Sequence, residues 1–166
     1  MGHGLQAEIG KRNPFDSVEQ ETYLNLVRTQ SVLVGEFSRL FRRHGLNESL
    51  YNTLRILRGS GEQGRTCGQV GSMLVARVPD VTRIMNRLVR DGLVSRLRSA
   101  KDRRVRLVVI TTNGLDRLAL LDNEVLSLHR TQLGHVAQAD LKVLCKILEA
   151  ARDRPNLELL KPPPQD

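Results

Sequence analysis

The sequence predicts a mainly α-helical chain carrying one small β-hairpin, and three observations support that reading. Ten lysines and arginines fall between Arg77 and Arg106 against three acids, a local charge of +7 out of +8 for all 166 residues. The flanking stretches are nearly balanced, so the charge belongs to one structural unit, the pattern of a surface that meets a polyanion. Within that stretch Val81, Ile84, Met85 and Leu88 recur at i, i+3, i+4 and i+7, which buries one face of a short helix. The helix is followed by Leu93-Val94 and Leu97, a polar tip at Ser99 to Asp102, and a β-branched run from Val105 to Ile110, which together read as a hairpin. A short amphipathic helix feeding a basic hairpin is a winged helix-turn-helix, with its helix suited to a major groove and its hairpin to the backbone.

The remaining elements follow in chain order. Residues 1–16, with several glycines and an Asn13-Pro14 pair, are expected to form a flexible arm. Ser17 and Gln20 have the spacing of a capping box and open a helix to about Arg43, roughly 40 Å long. Its stripe of Tyr23, Leu26/Val27, Leu33/Val34, Phe37 and Leu40/Phe41 is longer than one small core requires, which predicts a second subunit against it. Asn47 opens the next helix, with Tyr51, Leu54, Ile56 and Leu57 inward, and Gly59-Ser60-Gly61 ends it. Thr66 and Gln69 make a second capping box for a short helix with Val70, Met73 and Leu74 inward. Residues 75–78 form the turn of the helix-turn-helix. The recognition helix spans about 79–91, with Pro79 in its first turn and Gly92 free to take a left-handed C′ conformation. The wing spans about 94–110.

A helix from Thr111–Gly114 to about Gly134 would bury Leu115, Leu118, Leu121, Val125 and Leu128. A last one over roughly Gln138–Arg152 carries Leu141, Leu144, Cys145, Leu148 and Ala151. Leu157, Leu159 and Leu160 are assigned to the partner subunit. The expected organisation is therefore an arm (1–16), a helical dimerisation region (17–46 and 112–160), a winged helix-turn-helix lobe (47–111) and a flexible tail (161–166).

Three runs carry a specific resemblance: PDVTRIMNRLVRDGLVSR, then AKDRRVRLVVITTNG, with LYNTLRILRG upstream. Over residues 47–115 the order and spacing of these elements resemble the MarR-type bacterial transcription regulators. The resemblance implies a homodimer whose terminal helices interdigitate, a DNA operator, and groove contacts from the Pro79, Asp80, Thr82 and Arg83 positions. It also implies a wing arginine in a minor groove, with the D-x-R feature at Asp102 and Arg104. The family's usual effector cleft would draw here on Phe37, Phe41, Tyr51, Leu54 and Arg55, and would suit a small aromatic carboxylate or phenol.

Residue chemistry refines these contacts. Arg83 lies one turn into the exposed face, and its planar fork matches guanine O6 and N7. Thr82 suits a thymine methyl or a phosphate, and Asn86 an adenine or a phosphate. Arg87 and Arg90 lie further along, toward the DNA backbone. Lys101, Arg103 and Arg104 crown the wing, with Arg104 first and Arg103 second for the minor groove, where A·T-rich flanks deepen the negative potential. Asp102, an acid beside phosphate, is expected to brace the hairpin by pairing with an arginine. The plainer reading of each charge is a solvated face. A dimer would demand an inverted-repeat operator with half-sites about 34 Å apart.

Other classes find less support. Aromatic residues make up 3% of the chain with no Trp, which argues against stacking platforms for single-stranded nucleic acid. No segment approaches the roughly 20 apolar residues of a membrane span, and residues 1–15 lack a signal-peptide pattern, so the expected location is the bacterial cytoplasm, on the nucleoid. Cys67 and Cys145 fit no metal-ligand spacing, and the four histidines are scattered. No nucleophile elbow, phosphate-cradling glycine loop or H-E-x-x-H run occurs, so neither an enzyme nor a cofactor is expected. Two rival readings use the same surface. One is an architectural DNA-binding protein without sequence preference, and the other a regulator that senses oxidation through Cys67 at a helix N-terminus.

Overall fold

The computed structural model describes residues 4–99, 102 and 104–153. Its elements are α1 (Leu5–Glu8), α2 (Val18–Arg43), α3 (Glu48–Ser60), a 3-10 turn (Gly61–Gln63), α4 (Cys67–Met73), α5 (Val81–Arg90), β1 (Val94–Arg98), β2 (Arg106–Ile110), α6 (Thr112–Leu133) and α7 (Gln138–Arg152). The helical class and the single hairpin are those the sequence predicts. The chain divides into two compact units, residues 1–128 and 129–166.

Local chemistry sets most helix starts. Asn47 Oδ1 accepts from the Leu50 N–H at 2.9 Å to open α3. Thr66 and Gln69 complete a reciprocal capping box at α4. At α2 the box is half formed. Ser17 Oγ accepts from the Gln20 N–H at 3.2 Å, but the Gln20 side chain reaches past Ser17 to the Asp16 N–H at 2.9 Å.

The core of the first unit is built on α3, which packs against α2, α4, α5 and β2. Leu50, Leu54 and Leu57 of α3, Met85 and Leu88 of α5, and Leu118 and Leu121 of α6 are almost wholly removed from solvent. Each such side chain contributes about 1.5–3 kcal/mol relative to an exposed position. β1 and β2 pair antiparallel from Val94 opposite Ile110 to Arg98 opposite Arg106. Arg65 adds a short third rung, exchanging backbone hydrogen bonds with Val108 at 3.0 and 2.8 Å. Gly114 starts α6 against the strand entry, where a Cβ would lie 2.3 Å from the Leu93 carbonyl oxygen. Only glycine allows that approach.

Polar ties fix α6 to the helices before it. Arg58 grips Asp122 with two parallel hydrogen bonds of 2.8 and 3.0 Å. Glu124 takes Arg43 and His44 together, each at 3.0 Å. Arg117 donates to the His44 carbonyl.

Several expectations are corrected. Residues 5–8, placed in a flexible arm, form a helical turn with Leu5 buried and Glu8 3.4 Å from Arg28. Pro79 lies outside its helix, one residue before the N-cap Asp80. Met73 and Leu115 were expected inward but are 48% and 41% exposed, and Val70 of α4 and Leu118 of α6 take the buried places on those helices. No correction falls on α7, read as part of a dimerisation region: it has no buried residue, and Val143, Leu144 and Ile147 are about half exposed. The first half of α2 is likewise uncovered, with Tyr23, Leu26 and Val27 exposed while Leu40 and Phe41 at its end are buried. The leucines at 157, 159 and 160 and the tail lie outside the described residues.

The Arg58 guanidinium holds Asp122 below the ordinary aspartate pKa by hydrogen bonding and Coulomb attraction, against a smaller desolvation penalty. A depressed folded-state pKa stabilises the fold fully above the unfolded value near 3.9, and that share is lost as pH falls through the folded value. With side chains 33% and 45% exposed, screening limits the pair's contribution. Asp122→Asn is expected to lower stability by about 0.5–1 kcal/mol at pH 7, with the gap to the wild type closing at pH 3, as read by urea unfolding.

Candidate nucleic-acid interface

The exposed face of α5 is set by its two ends and one buried seam. Asp80 Oδ1 accepts from the Arg83 N–H at 2.9 Å and caps the first turn. At the other end Gly92 takes φ +69°, its N–H bonds to the Val89 carbonyl at 3.0 Å, and the Leu93 N–H bonds to the Leu88 carbonyl at 2.9 Å. This left-handed stop turns the chain directly into β1. Met85 and Leu88 are buried, so Thr82, Arg83, Asn86, Arg87 and Arg90 all point outward. The five helix residues chosen from the sequence thus share one face. Arg83, Asn86, Arg87, Arg90 and Asp91 line an open groove of about 430 Å³.

The arginines of this face are not equivalent. Arg87 donates to the Gly45 carbonyl at 3.1 Å and lies 3.5 Å from the Asp91 carboxylate. Arg90 lies 3.7 Å from the same carboxylate. Arg83 has no ion pair among the described residues. Arg87 is therefore partly a strut between α5 and the α2–α3 corner, while Arg83 is free to meet a ligand. Asp80, proposed from the sequence as a contact, spends one carboxylate oxygen on the helix cap. With Pro79 and Arg83 it borders a second recess of about 310 Å³ beside Asn47 and Ser49.

On the wing, Asp102 Oδ1 accepts from the Arg104 N–H at 2.9 Å, while the expected pairing with an arginine falls beside residues outside the described ones. A carboxylate two residues before an N–H closes an Asx-type turn without needing a guanidinium. The Arg104 side chain is exposed. Lys101 and Arg103 lie outside the described residues.

Three wing arginines were counted in the charged stretch but missed as site residues. Arg96 of β1 reaches α5 and donates to Asn86 Oδ1. Arg98 and Arg106 sit opposite each other in the hairpin register and are both exposed. The period of two along β1 puts Arg96 and Arg98 on one side of the ribbon, the side that faces α5. That alternation was readable in the sequence; the cross-strand pairing was not.

The residues of the expected effector cleft do come together, as packed core. Phe41 stacks on Tyr51 with ring centroids 4.5 Å apart, and Phe37 on Phe41 at 6.0 Å. Leu54 is fully buried, and the exposed Arg55 lies over the Tyr51 ring at 6.0 Å. Cys67, half-buried at the first residue of α4, and the exposed Cys145 are both free thiols. Among the described residues no group of His, Cys, Asp or Glu is arranged to hold a metal ion, and no helix is long and apolar enough to cross a membrane.

A capped helix bare along one side, set against an arginine-lined hairpin, defines a protein of the winged helix-turn-helix class. The chain belongs to the MarR family of transcription regulators. The profile described as MarR family matches residues 46–105. A MarR transcription factor from Planctomyces limnophilus of known crystal structure is 38% identical, with a TM-score of 0.63 over 82% of this chain and 99% of that one. The HTH-type transcriptional repressor IacR of Pseudomonas putida is 27% identical over 135 residues, 81% of this chain and 78% of that protein. Sco3205, a MarR family transcriptional regulator from Streptomyces coelicolor solved in complex with DNA, shares the fold at a TM-score of 0.76 over 91% of this chain and 98% of that one, with 16% identity.

Because Asp80 caps α5, Asp80→Ala is expected to destabilise the protein by about 1 kcal/mol, and Asp80→Asn by clearly less. Thermal unfolding of the three proteins checks this order.

Proposed function

We propose that this MarR-family protein is a homodimeric repressor that binds a specific double-stranded operator with inverted-repeat symmetry. In this reading α5 enters the major groove and the wing reaches the adjoining minor groove. The observation that carries it is the single outward face of Thr82, Arg83, Asn86, Arg87 and Arg90, joined to the hairpin through Arg96, with Arg98, Arg104 and Arg106 exposed on that hairpin. Arg83, free of internal ion pairs among the described residues, reads a base edge, and guanine is its best match. Arg87, Arg90 and the opposed Arg98 and Arg106 hold phosphates and fix register. Arg104, presented by the Asp102-closed turn, enters the minor groove.

The dimer is supported by the exposed apolar residues of α2 and of α7, which one subunit leaves uncovered. Two subunits would set their recognition helices about 34 Å apart. A small aromatic effector belongs to the same reading. Arg55 would meet its carboxylate, and the Phe37, Phe41 and Tyr51 rings its apolar body, at the expense of their present stacking.

Band-shift titrations over a salt series, using duplexes selected from a random library, test this function. Affinity is expected to fall steeply with salt and to exceed that for unrelated duplex by roughly 10³ or more. Arg83→Ala and Arg104→Ala should each cost about 1–3 kcal/mol of binding, the first with relaxed sequence preference. A ratio near unity between selected and unrelated duplex would assign the same surface to architectural packaging. A strictly monomeric protein in sedimentation would rule out the paired geometry.

A further inference from the structure

A polar contact joins α5 to the wing: the Arg96 guanidinium on β1 donates through Nη2 to Oδ1 of Asn86. We propose that this contact makes Asn86 a donor-only reader of the major groove, selecting guanine over adenine at the base pair it meets, with Arg96 as the positioning residue. The proposal rests on α5 being the helix that enters that groove.

Chemistry fixes the orientation of the amide. A guanidinium carries five N–H donors and no acceptor, so the atom it faces must be the Asn86 oxygen. An unrestrained asparagine recognises adenine by donating to N7 while accepting from the N6 amino group. Here the accepting atom is held by a cation, through a charge-assisted bond of the stronger kind. A second donor arriving at that oxygen from an adenine N6 would bring its positive hydrogen beside the guanidinium hydrogens. What Asn86 has left to present is its NH₂ group. Guanine offers two adjacent acceptors, O6 and N7, whereas adenine sets an amino group against those hydrogens. Polarisation by the guanidinium strengthens the amide N–H groups as donors.

The register of the hairpin makes the arrangement possible. Arg96 pairs with Val108 and shares its side of β1 with Val94, which is buried in the core. That side faces α5, so the guanidinium reaches Asn86 while the residue as a whole stays exposed. Asn86 and Arg96 are both exposed, so breaking the contact leaves the core untouched and alters recognition.

The test uses the full-length protein with Asn86→Ala, Asn86→Asp, Arg96→Met and Arg96→Lys. Each is shown to be folded by circular dichroism and assayed on duplexes selected by the wild type. The base pair concerned is the one whose preference Asn86→Ala flattens. There the wild type is expected to prefer guanine to adenine by about tenfold. Arg96→Met frees the amide to turn over, and the preference should shrink about fivefold or more, while affinity for unrelated duplex drops only as loss of one charge requires. Arg96→Lys, still a donor, should keep most of the preference. Asn86→Asp keeps its tie to Arg96 but presents an acceptor, and should turn the choice toward cytosine. Adenine as the wild-type choice overturns the proposal, as does an unmoved ratio in Arg96→Met or an Asn86→Ala variant that reads every position like the wild type. A wild type with no preferred duplex fails the operator reading itself. A preferred duplex whose guanine-to-adenine ratio ignores Arg96 fails this inference alone.

Discussion

The recognition helix cannot stand by itself, and that dependence organises the lobe. α5 has ten residues, fewer than an isolated helix needs to persist in water. It is held by Met85 and Leu88, both fully buried, in a core centred on Leu50, Leu54 and Leu57 of α3. Val81, Ile84 and Val89 flank that seam, partly buried against the same core, and the opposite side is left to solvent, so burial on one side and display on the other are one fact. The seam also places the wing. Leu93 bonds back to the Leu88 carbonyl and passes straight into β1, and its own carbonyl is the surface on which Gly114 lets α6 begin. α5, the ribbon and the long helix that follows are therefore positioned by a few consecutive residues.

What the sequence made legible was local. The apolar period of α5 and the Thr66–Gln69 box at α4 announce themselves within four to eight residues, as does the glycine stop at Gly92, and the structure puts these elements where the pattern does. The concentration of charge at residues 77–106 is equally a one-dimensional signal. What escaped is pairing across distance. Nothing near Arg58 names Asp122, nothing near Arg96 names Asn86, and Arg65 gives no hint of joining Val108. Asp102 shows an intermediate case. Its bracing role followed from an acid standing amid cations, and among the described residues it accepts from a backbone N–H, that of Arg104, a donor that no charge count points to. The turn at residues 5–8 was hidden because its order comes from Leu5 finding a buried place, not from any periodicity of its own.

Sorting the arginines by partner divides the basic stretch more finely than counting charge does. Arg87 and Arg96 are tied to Gly45 and Asn86, and outside the stretch Arg58 and Arg117 similarly tie α3 and α6 to their neighbours. Arg83, Arg98, Arg104 and Arg106 are exposed but make no such tie among the described residues.

The opposition of Arg98 to Arg106 has a thermodynamic side as well. Two guanidinium groups facing across an antiparallel pair repel, so the ribbon is under slight electrostatic tension whenever nothing anionic lies on it. Mobile ions relieve that tension and equally weaken attraction to a polyanion. Ionic strength thus acts on this protein with two opposite signs, firming the free wing while loosening its hold on nucleic acid, so conditions that best preserve the isolated protein are not those in which it grips most tightly.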